Sequence, residues 1–209
     1  MIFRLDERLL FPDPALAEPD GLLAVGGNLS VNRLLLAYQH GIFPWYSDDT
    51  PILWYSPHER FVLFPQELKV SKTMRRVLRS NAFTVTVDQS FKDVVAACSQ
   101  IGRPGQDGTW ITDDMQAAYL ELHQQGHAHS VEVWQNGELA GGLYGVQAGK
   151  VFCGESMFSK ISNASKVALA HLCGMGFSLI DCQVYTDHLA SMGARMISRE
   201  EYIGILQGE

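Results

Sequence analysis

The run HAHSVEVWQNGELAGGLYGVQAGKVFCGESMFS, from His127 to Ser159, constrains this chain more than any other stretch. Asn136-Gly137 is a strong two-residue hairpin signal, and Ala148-Gly149 turns the chain a second time. HSVEVW, ELAGGLYGV and KVFCGES therefore read as three antiparallel strands. A helix from about Asn163 to Met175 follows, then the strand SLIDCQV, a short helix around His188 to Met192 ended by Gly193, the strand ARMIS and a last helix. Strands in a meander followed by helix, strand, helix, strand is an α+β order, and the crossover from Glu155 to Leu179 should return parallel and right-handed.

That crossover sets two strand ends side by side. With a period of two, Val151, Cys153 and Glu155 share one face of the first strand, and Leu179, Asp181 and Gln183 share one face of the second. If the faces coincide, Glu155, Asp181 and Gln183 converge at the mouth of one cleft. A carboxylate at the end of a buried strand costs several kcal/mol to desolvate without partners, so Glu155 is either a hydrogen-bonded structural cap or a functional group. Three polar groups aimed at one crevice favour function.

Ahead of the meander, Thr112 caps a helix that carries Asp113 and Asp114 in its first turn and stops at Gly126. RFVLF and FTVTV read as strands, and Ser90 to Ser99 as a helix opened by the capping box Ser90-x-x-Asp93. The first sixty or so residues hold a helix from Val31 to His40 capped by Ser30, but proline and glycine punctuate the rest too densely for long elements. They read as a small lobe whose loops are held by Phe43, Trp45, Trp54 and Tyr55.

The formal charge of −7 speaks against a nucleic-acid partner, but five of the sixteen basic residues fall between Lys69 and Arg79. With Ser71 as cap, Lys72, Arg75, Arg76 and Arg79 share one helix face, which is either a phosphate-binding surface or a solvated one. Trp45, Trp54 and Trp110 are core aromatics or base-stacking platforms. Cys98, Cys153, Cys173 and Cys182 form no C-x-x-C pair and read as free thiols, mostly buried. His127 and His129 alternate onto one strand face without a third metal ligand at suitable spacing. GESMF lacks the second glycine of a nucleophile elbow, and AGGLYGV fits neither a phosphate loop nor a dinucleotide fingerprint. Its glycines mark a bulge or a close backbone approach. No run of about 18 apolar residues occurs and the N-terminus is charged, which points to the cytoplasm.

The runs EPDGLLAVGGNLS, AYQHGIFPWYS, LWYSPHERFVL, DGTWIT, AYLELHQQGHAHSVEVW, GGLYGV, FCGESMFS, NASKVAL, LIDCQV and HLASMGA resemble, in order and over nearly the whole chain, the bacterial leucyl/phenylalanyl-tRNA-protein transferases. The resemblance implies a small N-terminal domain over residues 1–60. It also implies an acetyltransferase-like (GNAT-type) catalytic domain over 61–209, with a mixed sheet flanked by helices. It further implies transfer of leucine or phenylalanine, and less readily methionine, from charged tRNA to proteins beginning with arginine or lysine, marking them for N-end-rule degradation. No cofactor is implied: aminolysis of an ester runs downhill without ATP, and SKISNASKVAL stands where an acetyltransferase would carry a glycine-bearing pyrophosphate loop. The segment AHLCGMGFS before LIDCQV is shorter than the family pattern, and the chain stops soon after REEYIGILQGE, where some relatives continue.

By the same resemblance, Asp181 and Gln183 form a proton relay and Glu155 orients the reacting ends, with Asp181 adding negative charge for a cationic acceptor residue. Leu143, Phe152, Met157, Leu169, Leu172 and Ile180 line the aminoacyl side-chain pocket, Trp45 and Trp110 stack the terminal adenosine, and the Lys72, Arg75, Arg76 and Arg79 face meets tRNA. Two other readings stay open: a tRNA-binding module without transfer activity, and a small-molecule acetyltransferase suggested by element order alone.

Overall fold

The computed structural model describes residues 2–101 and 110–208, so that Asp107, Gly108 and Thr109 of the DGTWIT run lie outside the described residues. The chain opens with β1 (Phe3–Leu5), β2 (Leu22–Gly26), α1 (Val31–Gln39), β3 (Phe43–Pro44) and β4 (Leu53–Tyr55). The four strands form a small sheet in the order β1-β2-β4-β3. No long element forms between the turns, as expected, and Phe43 and Trp45 pack on Tyr55; short paired strands, not foreseen, satisfy the backbone there. Trp54 is fully buried and donates its indole N–H to the Gly26 carbonyl at 2.8 Å, which ties β4 to the end of β2.

After β5 (Glu59–Leu63) come α2 (Lys72–Arg79), β6 (Thr84–Val87), α3 (Phe91–Gln100), α4 (Asp113–Gln124), β7 (Ala128–Gln135), β8 (Glu138–Ala148) and β9 (Val151–Ser159). The chain ends with α5 (Ala164–Cys173), β10 (Leu179–Gln183), α6 (Asp187–Ser191), β11 (Arg195–Ser198) and α7 (Arg199–Gln207). Ser71 and Thr112 cap as expected, their hydroxyl oxygens accepting the N–H groups of Met74 at 3.1 Å and Met115 at 3.2 Å. Ser30 stands at its cap position without a side-chain bond. Ser90 departs from the capping box: its hydroxyl donates to the Asp93 carboxylate at 2.6 Å and caps no backbone N–H. A charged acceptor makes the stronger bond.

The large sheet runs β11-β5-β10-β9-β8-β7-β6. Every pairing is antiparallel except β9 with β10, which α5 joins as a parallel crossover. On one face α2 and α5 pack over Leu143, Phe152 and Ile180; on the other, α1, α3, α4 and α7 pack over Val151, Cys153 and Leu179. The second core continues into the small sheet through Leu23 and Trp54. This is an α+β fold with a small N-terminal unit and a mixed sheet flanked by helices. No helix among the described residues is long and apolar enough to cross a membrane.

The parallel pairing is short. Leu179, Ile180 and Asp181 lie opposite Val151, Phe152 and Cys153, and beyond that point both strands bulge. On β9 the extra residue is Glu155, between Gly154 opposite Gly145 and Ser156 opposite Tyr144. A Cβ on Gly145 would come within 2.2 Å of the Cys153 carbonyl oxygen, so only glycine permits this approach. The glycine expectation for AGGLYGV holds at this position. On β10 the irregularity falls between Asp181 and Gln183, and Gln183 has φ +62°. The two bulges bend the strand ends and re-aim their side chains, as bulges beside sites commonly do.

Candidate active site

Glu155 is 7% exposed, and its carboxylate accepts from three side chains. The Tyr38 hydroxyl on α1 donates to Oε1 at 2.8 Å, the Tyr119 hydroxyl on α4 to Oε2 at 2.7 Å, and Gln183 Nε2 to Oε1 at 2.8 Å. The two tyrosine hydroxyls lie 2.7 Å apart. Burial pushes the Glu155 carboxyl up to about 7 from an ordinary 4.5, because loss of hydration outweighs the three hydrogen bonds that favour the charged form; nearby Asp181 adds to the rise. Burial, then Glu155 itself, raises both tyrosine hydroxyls well above their usual range, so they remain donors.

Glu155 and Gln183 therefore meet, as the strand parity predicts, but through bulges that a strict period of two does not contain. Asp181 behaves differently. It is fully buried, and Arg60 of β5 grips it: Nε lies 3.0 Å from both carboxylate oxygens and Nη2 lies 2.7 Å from Oδ2. The Tyr202 hydroxyl of α7 donates to Oδ2 at 2.8 Å. Burial alone would lower the Arg60 pKa, but the adjoining Asp181 carboxylate overcomes it and raises it, so Arg60 is a cation. The expected negative charge for a cationic acceptor is thus offset by Arg60. Of the two residues expected to form a relay, Asp181 accepts the backbone N–H of Gln183 at 2.8 Å, while the Gln183 side-chain amide turns to Glu155.

An apolar cavity of about 290 Å³ opens where β9 and β10 part. Leu143, Phe152, Met157, Leu169, Leu172 and Ile180 all line it, so the short segment before β10 still leaves Leu169 and Leu172 of α5 in the wall. A second cavity of about 100 Å³ lies between Phe43, Pro44, Trp45, Trp110 and Gln183. Glu155, Cys182 and Val184 border both. Trp45 is 40% exposed and Trp110 half-buried, whereas Trp54 is core; the structure thus separates three tryptophans that composition could not. Burial, with Asp181 nearby, raises the Cys182 thiol far above its ordinary pKa.

Lys72, Arg75, Arg76 and Arg79 are all exposed on α2, and Met74 turns inward. Among the described residues none of the four basic groups enters an ion pair. His129 pairs with Asp88 at 2.7 Å, and no cluster of three or more potential metal ligands occurs among the described residues. Sequence reading misses Tyr38, Tyr119, Arg60 and Tyr202. Only Arg60 leaves a trace there, as a charge heading the apolar run RFVLF.

Residues 62–207 match the family model described as leucyl/phenylalanyl-tRNA protein transferase, and residues 27–58 match the model for that family's N-terminal domain. A leucyl/phenylalanyl-tRNA–protein transferase of Syntrophobacter fumaroxidans is 59% identical over 98% of this chain and 89% of its own length. One from Flavobacterium johnsoniae is 52% identical over the full length of both. A GCN5-related N-acetyltransferase from Kribbella flavida superimposes with a TM-score of 0.39 at 9% identity, covering 77% of this chain and 58% of that one. That likeness is too distant to carry any inference.

Proposed function

The chain belongs to the leucyl/phenylalanyl-tRNA–protein transferase family and is an aminoacyltransferase, and on that premise we propose how its site performs the transfer. The donor is a tRNA charged with leucine or phenylalanine, and less readily methionine. The acceptor is the α-amino group of a protein beginning with arginine or lysine, and the product is an N-end-rule degradation signal made in the cytoplasm.

One observation carries the reading: the apolar cavity and the tryptophan-lined cavity meet at Glu155. A charged tRNA end has the matching layout, with an apolar side chain, an ester and an adenine in sequence. With the side chain against Leu169 and Leu172 and the adenine against Trp45 and Trp110, the ester lies beside Glu155 and Gln183. Base–aromatic stacking contributes about 1–3 kcal/mol per base. The exposed face of α2 supplies phosphate contacts farther along the tRNA.

In the reaction the amine nitrogen bonds to the ester carbon, the bond to the ribose oxygen breaks, the nitrogen loses a proton and the ribose oxygen gains one. An ionised carboxylate only accepts, so the Gln183 amide nitrogen must face Glu155 and its oxygen is left to accept an N–H of the attacking amine. Glu155, poised near 7, is suited to hold the proton between the two events. Alignment can contribute about 7–11 kcal/mol to such a reaction, and acid–base help about 10²- to 10⁴-fold.

The test is transfer of labelled leucine and phenylalanine from charged tRNA to a peptide beginning with arginine, without ATP or coenzyme A. Product on that peptide, and none on one beginning with glutamate, is expected. Tight, salt-sensitive tRNA binding without product would instead make the chain a tRNA-binding module.

A further inference from the structure

The buried cation Arg60 is held from several sides at once. Besides its bonds to Asp181, its Nη1 donates to the Gly41 carbonyl at 3.2 Å. Its guanidinium lies between the Phe43 ring at 4.5 Å and the Tyr202 ring at 4.7 Å. Gly41 has φ +71°, and a Cβ there would stand 3.2 Å from the Tyr202 ring, so the packing around the cation is close. A planar fork fixed in this way presents the Asp181 carboxylate in one orientation.

That orientation reaches Gln183. Asp181 Oδ1 accepts the Gln183 N–H at 2.8 Å, closing a two-residue loop around the bulge of β10. The φ of +62° at Gln183 is disfavoured for a residue with a side chain and persists only where its surroundings over-determine it. We propose that Arg60 is a positioning residue for transfer: it fixes Asp181 as the acceptor that locks Gln183 in its left-handed turn, and the turn aims the Gln183 amide at Glu155 and at the junction of the two cavities. The proposal rests on the transfer reaction described above for the use of that amide. Asp181 moves no proton in it, because its oxygens are filled by Arg60, Tyr202 and the Gln183 N–H, and it is fully buried.

Amide exchange reads the link without any reaction. In R60M the Gln183 N–H should exchange at least about tenfold faster than in the unaltered chain, measured against the amides of β8. Equal protection would overturn the proposal. Tyr202→Phe removes one donor to Asp181 and keeps the ring over Arg60, so it stands in if R60M does not fold. It should lower kcat about three- to tenfold with KM for charged tRNA and the pH profile unmoved. A displaced profile would mean that Asp181 titrates during transfer, against the proposal. Absence of transfer by the unaltered chain would count against the transfer reading alone, since the exchange measurement does not depend on it.

Discussion

Substituting Glu155→Gln tests the electrostatics of the site through stability as well as rate. In the unfolded chain the carboxyl titrates near its ordinary 4.5, and in the folded chain near 7. The folded state therefore binds this proton more tightly. Below about pH 4.5 the group is protonated in both states and carries no penalty; as pH rises from there to 7 the unfolded chain releases a proton that the folded chain retains, and the folded state loses stability. The interval corresponds to about 3 kcal/mol, with most of the change between pH 4.5 and 7. Glutamine has the same shape and does not titrate. Its oxygen can accept from Tyr38 and Gln183 while its nitrogen donates to Tyr119, whose own proton then bridges to Tyr38, so the network stays satisfied. Urea unfolding of both proteins from pH 4 to pH 8.5 isolates the effect, because every other titrating group cancels in the difference. The stability of E155Q relative to the unaltered chain should rise by about 3 kcal/mol across that range and level off above 7. Parallel curves would show that Glu155 is not poised near neutrality. Transfer by E155Q should fall by about 10²- to 10⁴-fold and lose the limb of its pH profile near 7.

Asp181→Ala leaves Arg60 as an unpaired buried charge and should cost about 3–5 kcal/mol in denaturant unfolding, so its loss of transfer must be read beside its stability. Trp45→Ala should weaken binding of charged tRNA by about 1–3 kcal/mol in a filter assay with little change in unfolding. Trp54→Ala should do the reverse, costing about 3–5 kcal/mol of stability. Replacing Arg75, Arg76 and Arg79 with alanine should flatten the dependence of log affinity for tRNA on log salt by about 0.7–0.9 for each phosphate that is no longer neutralised; an unchanged slope would make that face of α2 a solvated one.

The meander from β7 to β9, the crossover through α5 and the strand β10 are legible because turn glycines and apolar periodicity are local signals. The family resemblance names the residues that line the apolar cavity, and the structure brings them together from β8, β9, α5 and β10. What surrounds the two acids is not legible. Tyr38 and Tyr119 lie on different helices, 117 and 36 residues from Glu155 in sequence, and a tyrosine on a buried helix face is ordinary until its hydroxyl finds a partner. Arg60 and Asp181 are 121 residues apart, so a carboxylate that looks free in sequence is the most tightly paired one in the site. The bulges at Glu155 and Gln183 escape a period-two reading because they break the period where the site is built.

Tyr38 and Arg60 both precede residue 61, yet they complete the surroundings of Glu155 and Asp181. A fragment starting at residue 61 would carry the acids on their strands and lack the Tyr38 hydroxyl that bonds Glu155 and the Arg60 cation that pairs with Asp181. The two sheets should accordingly melt in one cooperative step. The same sharing means that a swapped N-terminal unit would have to bring a tyrosine and an arginine that fit the carboxylates of the larger sheet.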